Sequence, residues 1–159
     1  MADEHEALVA EVRSLAAAVA ELADRRAVAD VVLSYAAGVD RRDWEAVRAC
    51  FEDGAVVEGT VHQAPLEPYL RSLVDGVEHF GATMHFMGNQ LVSVDGDLAE
   101  VETYAVAFHW MGEQPGADDD GNLVVGVRYL DTLARSGDGW RIRRRRVTSE
   151  WRRGAYPPA

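Results

Sequence analysis

The chain contains no lysine. Its 16 basic side chains are all arginine, set against 27 acidic ones for a net charge of −11. That balance argues against nucleic acid as a partner, because neutralising phosphates takes basic surface. Cysteine is almost missing as well. Cys50 stands alone, which rules out an intrachain disulfide. Its place in the apolar series Trp44, Val47, Cys50, Phe51 marks a buried small hydrophobe rather than a nucleophile. No apolar run reaches the ~20 residues of a membrane span, so no membrane partner is expected. The acidic opening with Asp3, Glu4 and Glu6 lacks the basic and apolar regions of a secretory signal, and the expected location is the cytoplasm.

Several chemical signatures are missing too. There is no His-x-x-x-His and no cysteine pair for a metal. There is no Gly-x-Gly-x-x-Gly or phosphate loop, and no Gly-x-Ser-x-Gly elbow. Asp118, Asp119 and Asp120 lack the spacing of a calcium loop. Neither a metal nor a cofactor is expected.

What is present is enough for one domain. A chain of 159 residues, 48% of them apolar, can bury roughly 70% of its unfolded surface without a staple. Leu8, Val12, Leu15, Val19 and Leu22 follow a 4-3-4-3 spacing, an apolar stripe on a helix. It either packs on its own domain or contacts another subunit. Asp24 reads as the N-cap of a second helix running to about Val39. Within it Leu33, Ala36 and Asp40 fall in one row, so Asp40 continues an apolar face, and Gly38 loosens the last turn. Asp43 caps a short helix from Trp44 to Phe51. A strand follows from Ala55 to Gly59, and Pro65 opens another helix with Leu66, Tyr69, Leu70, Leu73, Val74 and Val77 on its apolar face.

From Gly81 the apolar period changes to two. Thr83, His85, Met87, Asn89 and Leu91 form one face of a strand, and Val101, Thr103, Ala105, Ala107 and His109 one face of the next. Gly112–Asn122 reads as a loop. Two further strands run from Val124 to Ala134 and from Trp140 to Trp151, making an antiparallel meander. Helices first and strands after give an α+β fold: a curved antiparallel sheet wrapped around N-terminal helices as a cone-shaped barrel. Small inner residues such as Ala105, Ala107 and Gly126 leave an internal pocket, the usual place for a small ligand. The expected organisation is an amphipathic helix over 1–23, a domain over 24–153 and a tail over 154–159.

Candidate chemistry gathers on four residues. Asp40, if buried, acquires a raised pKa and becomes a usable base. His85 and His109 lie on neighbouring strands in apolar surroundings, either as core histidines or as partners of a carboxylate that orients imidazole. Tyr35 either donates its phenol to a carbonyl or enolate oxygen or is a core tyrosine. It lies about 140° from Asp40 around the helix, so the two share a pocket only through a bridging ligand or an unwound helix end. The run Arg143–Arg146 alternates faces and is expected to form ion pairs with the acidic surface or a neighbouring subunit, or to reach an acidic ligand.

The series Tyr35-Ala36-Ala37-Gly38-Val39-Asp40-Arg41-Arg42-Asp43-Trp44-Glu45 resembles the signature of SnoaL-like proteins in the nuclear transport factor 2-like superfamily. The resemblance continues through Phe51–Val57, Met84–Asn89, Val94–Asp97 and Asp138–Ile142. It implies the cone-shaped α+β barrel and lies nearest the branch of scytalone dehydratase, bile acid 7α-dehydratase and lindane dehydrochlorinase. That branch implies a cofactor-free elimination by an aspartate–histidine dyad, with Asp40 and His85 in those positions. Tyr35 matches a catalytic tyrosine and His109 a second pocket histidine. Val39 departs from the tyrosine that scytalone dehydratase carries before its aspartate. The expected function is a dehydratase-type lyase acting on an apolar cyclic or polyketide-like carbonyl compound held in the pocket. The alternatives are a noncatalytic binding or oligomerisation module, and an isomerase or cyclase using the same dyad. The stripe and the resemblance together imply a homo-oligomer, a dimer or trimer.

Overall fold

A computed structural model describes residues 2–59, 63–112, 122–137 and 139–154. Helix α1 runs unbroken over Ala2–Arg41, followed by α2 (Trp44–Ala49), β1 (Phe51–Glu58), β2 (Gln63–Pro65) and α3 (Leu66–Glu78). Four long strands complete it: β3 (Ala82–Asp95), β4 (Leu98–Trp110), β5 (Leu123–Ser136) and β6 (Gly139–Arg153). The expected start of a second helix at Asp24 is therefore corrected. Asp24 lies inside a continuous helix, where its carboxylate accepts two hydrogen bonds from Arg135, both 2.8 Å, and one from Trp140 Nε1. It anchors α1 to the β5–β6 hairpin instead of capping a helix. The loop expected over Gly112–Asn122 and the tail from 154 lie, apart from their end residues, outside the described residues. No helix among the described residues is long and apolar enough to cross a membrane.

The end of α1 sets the geometry of everything after it. Arg42 takes a left-handed conformation with φ 56°, and the Asp43 N–H returns to the Gly38 carbonyl at 2.9 Å. Asp43 then caps α2, its Oδ1 accepting from the Ala46 N–H. Gly38 does not loosen the helix as expected. A Cβ there would come within 2.8 Å of Val47 Cγ2, so the glycine lets α2 pack close across the last turn of α1.

The sheet has six strands in the order β2-β1-β6-β5-β4-β3. The last four form the expected meander. The short β2 was not anticipated, and β1 pairs in parallel with β6, which brings the two halves of the chain together. Register shifts at Met87/Gln90, Gly126/Val127 and Thr132/Leu133 bend the strands, as bulges do. The sheet curls without closing, and α1 packs mainly against the free edge strand β3. There Arg25 donates to the edge carbonyl of Val92 at 2.8 Å.

The bulge in β3 corrects the expected strand face. Thr83, His85 and Met87 point inward, but after the shift Gln90, Val92 and Val94 take over, and Leu91 is 63% exposed. Gly126 also changes sides: it lies outside, beneath the Trp151 indole. Cys50 is buried as expected, and burial pushes its thiol up to about 11.

The core contains one charge pair. Arg145 is fully buried, as is Asp131 beside it. Two parallel hydrogen bonds of 2.7 Å join them, from Nε and Nη2 to the two carboxylate oxygens. The guanidinium carbon lies 4.0 Å from the centre of the Tyr35 ring and 4.6 Å from that of Tyr129. Nη1 has no hydrogen-bond partner, and these ring faces are its compensation. Arg143 and Arg146, by contrast, do pair with surface acids, Glu52 and Glu58. Removing one member of a buried pair strands the other's charge, at a cost of about 3–5 kcal/mol. Asp131→Ala is therefore expected to lower the urea midpoint by that equivalent, and Asp131→Leu with Arg145→Met to recover most of it. Equal losses in the single and double variants would contradict a coupled pair.

Candidate active site

Asp40 stands in the last turn of α1, facing the start of β3. Its Oδ1 lies 2.7 Å from His85 Nδ1 and accepts from Thr83 Oγ1 at 3.2 Å. Its Oδ2 accepts the backbone N–H of His85 at 2.8 Å. A carboxylate with three donors has no hydrogen to give, so the shared proton belongs to His85 Nδ1. Nε2 is then the ring nitrogen left to act as a base. Burial pushes the Asp40 carboxyl up. The hydrogen bonds from the His85 ring and backbone and from Thr83, with the ring's charge, outweigh burial and hold the group below its usual value. This corrects the expectation of a raised pKa: Asp40 is an ionised orienting group, and the basic nitrogen is on His85.

His85 opens into a cavity of about 220 Å³. Tyr35, Tyr69, Phe80, Ala107, His109 and Tyr129 share its walls, and Leu73, Val77, Val125, Val127 and Val147 complete the apolar part. Asp40 is not on the wall; it stands behind His85. The angular problem on α1 disappears as a result, since Tyr35 reaches the cavity directly and Asp40 acts through the histidine. Ala107 supplies space, as expected of a small inner residue. Ser72 and Gly76, one turn apart on α3, are exposed yet border the cavity, so its mouth lies along that helix.

His109 faces His85 across 6.2 Å between ring centres. Its Nδ1 donates to the Leu123 carbonyl at 3.3 Å, which leaves Nε2 as an acceptor. Burial, and secondarily the neighbouring His85, lowers its pKa to about 4, so the ring is neutral through the physiological range. At the opposite wall the Tyr35 and Tyr69 hydroxyls are 3.0 Å apart. One of them donates to the other and the second proton remains for a ligand. Burial raises the pKa of both Tyr69 and Tyr129, keeping these phenols protonated.

The four residues chosen from the sequence thus meet at one cavity or directly behind it. Tyr69, Tyr129 and the Arg145–Asp131 pair were not identified beforehand. One signal was available: Asp131 continues the inner row Val125, Val127, Tyr129, as Asp40 continues its helix row, and a lone acid in such a row needs a buried cation. His62 lies outside the described residues; His79 Nδ1 meets the Asp75 carbonyl at 2.6 Å, and His5 is on the exposed start of α1. Among the described residues no group of three or more His, Cys, Asp or Glu side chains could hold a metal ion. A larger open groove of about 780 Å³ crosses the sheet's outer face among Glu100, Glu102, Arg144 and Arg146. It contains no histidine and does not include the dyad.

The family profile of the SnoaL-like domain matches residues 20–146. The uncharacterised protein Rv2910c of Mycobacterium tuberculosis is 30% identical over 132 residues, which cover 80% of this chain and 86% of that one. Among solved structures, a protein of Novosphingobium aromaticivorans provisionally assigned as scytalone dehydratase superposes with a TM-score of 0.74 at 21% identity, over 87% of this chain and 92% of the other. The hexachlorocyclohexane dehydrochlorinase LinA-type3 of Novosphingobium barchaimii gives 0.70 at 16% identity, over 87% and 97%. At these identities the two structures share the fold.

His109 carries a pH signature. An unfolded His109 takes its proton near 6.5, the folded one only near about 4. Between those values the unfolded state binds the extra proton, so stability is complete above 6.5 and declines as pH falls towards about 4. The unfolding free energy of the wild type is expected to drop more steeply over that interval than that of His109→Gln. Parallel profiles would show that His109 is not held neutral.

Proposed function

The chain belongs to the SnoaL-like domain family, and on that premise we propose that it is a cofactor-independent lyase. It eliminates water from an apolar cyclic or polyketide-like carbonyl compound bound in the internal cavity. The observation that carries this reading is the 2.7 Å contact between Asp40 Oδ1 and His85 Nδ1, which fixes the tautomer and leaves Nε2 basic beside the cavity. The names of the two structural neighbours, a dehydratase and a dehydrochlorinase, describe eliminations and agree with it.

In the proposed reaction His85 Nε2 removes the proton next to the substrate carbonyl, and the electron pair moves into an enolate. Asp40 stabilises the imidazolium. The free proton of the Tyr35–Tyr69 pair bonds to the enolate oxygen. The enolate then collapses to the conjugated carbonyl as the β-hydroxyl leaves, taking the proton from His85 to depart as water. His109, neutral, is an acceptor that positions that hydroxyl rather than an acid that protonates it. An engineered cavity of about 150 Å³ accommodates benzene, so about 220 Å³ suits one ring with substituents or two fused rings.

A general acid–base group contributes roughly 10²–10⁴-fold. Against a panel of one- and two-ring β-hydroxy ketones, His85→Ala and Asp40→Asn are expected to lose at least about 100-fold in kcat, and Tyr35→Phe less. Near-normal turnover in both dyad variants defeats the mechanism. One observation favours a purely binding pocket instead: the Tyr35 and Tyr69 hydroxyls already bond to each other. Ligand binding with no chemical change in product analysis decides for that reading, and a rearranged product without water loss decides for an isomerase or cyclase.

A further inference from the structure

The N-terminal half of α1 stands apart from the domain. Residues 3–23 are exposed apart from the half-buried Val9, and burial on the body begins at Asp24 and Val28. Yet this arm is not polar all round. Leu8, Val12, Leu15, Val19 and Leu22 are between 56% and 65% exposed and lie along one line of the helix. Seventeen of the arm's residues, 3–19, precede the start of the family domain at residue 20, and four of the five stripe residues, Leu8 to Val19, lie among them.

From this stripe we infer that the arm is a dimerisation element, pairing in parallel with the arm of a second copy of this chain. Three features select that occupant. With Leu8, Leu15 and Leu22 at d, Val12 and Val19 fall at a, and β-branched a with leucine d favours two strands over three. The flanking e and g positions include Ala16, Ala18 and Ala23, which let a second helix approach, while Glu6, Arg13 and Glu21 occupy the outer positions. The direction is also right. At about 100° per residue, the stripe points about 150° away from the row Val28, Val32, Tyr35 and Val39 that faces the body. A second arm therefore lies along the stripe with the two bodies on opposite sides.

The test is the mass of the full chain in solution, by sedimentation, for the wild type, Leu15→Glu and Val12→Glu/Val19→Glu. Circular dichroism and thermal unfolding confirm in each case that the domain is folded. The expected result is a wild-type dimer whose dissociation constant rises at least 100-fold in both variants. Leu15→Cys is expected to form a disulfide-linked dimer on oxidation, because d positions of a parallel pair face their own copies, whereas the wild type with its buried Cys50 is not. A monomeric or trimeric wild type overturns the inference. A dimer that survives both glutamate variants does so too, by assigning the contact to the sheet. A dimer that dissociates in them but never cross-links through Leu15→Cys overturns the parallel arrangement.

Discussion

The Arg145–Asp131 pair is the constraint on which the interior rests. Two opposite charges are held out of water by two short bonds, under the faces of Tyr35 and Tyr129. Such a pair gains little over a hydrophobic replacement, but neither member tolerates the loss of the other. It therefore ties β5 to β6 at one register and fixes where two tyrosine rings can lie. A guanidinium suits the task because its plane lies against aromatic faces while its edge grips a carboxylate, which a lysine ammonium cannot do. In a chain whose every cation is arginine, this is where that chemistry counts most.

The cavity inherits an electrostatic order from this arrangement. One wall carries a charge-balanced Arg145–Asp131 pair behind tyrosine rings, and the other carries an anion behind an imidazole. Between them lie mainly apolar side chains and a neutral histidine. A polar molecule in the cavity meets the Asp40 charge through the His85 ring, while on the other side Asp131 offsets the Arg145 charge at 2.7 Å. The dyad is stiff as well. Asp40 accepts from both the ring and the backbone of His85, so a change of rotamer in either residue breaks one of these bonds.

Much of this was legible in the residues. Period 3.6 followed by period 2 yields helices and then strands, and Asp43 caps α2 where the sequence places a capping residue. Asp40 betrayed itself as an acid in an apolar row. What was not legible depends on pairing between distant segments. The bulge after Met87 turns Leu91 outward although strict alternation puts it inward. The parallel contact of β1 with β6 has no local signal. Arg145 looks like one of four surface arginines until the shift between Thr132 and Leu133 rotates it into the core beside Asp131. The pKa of Asp40 moves down instead of up because three donors, none of them its sequence neighbour, outweigh its burial.

One structural fact links both ends of the molecule. Forty residues of α1 rise about 60 Å at 1.5 Å each, with no proline and a single glycine, Gly38, wedged against Val47. The apolar stripe is near one end of this rod and Asp40 is in the last turn at the other. Gly38 is the only position where the rod could bend easily, and it is braced. Between the two ends, Asp24 and Arg25 clamp the rod to the sheet, so a load on the arm is borne there and the carboxylate that aims His85 keeps its place.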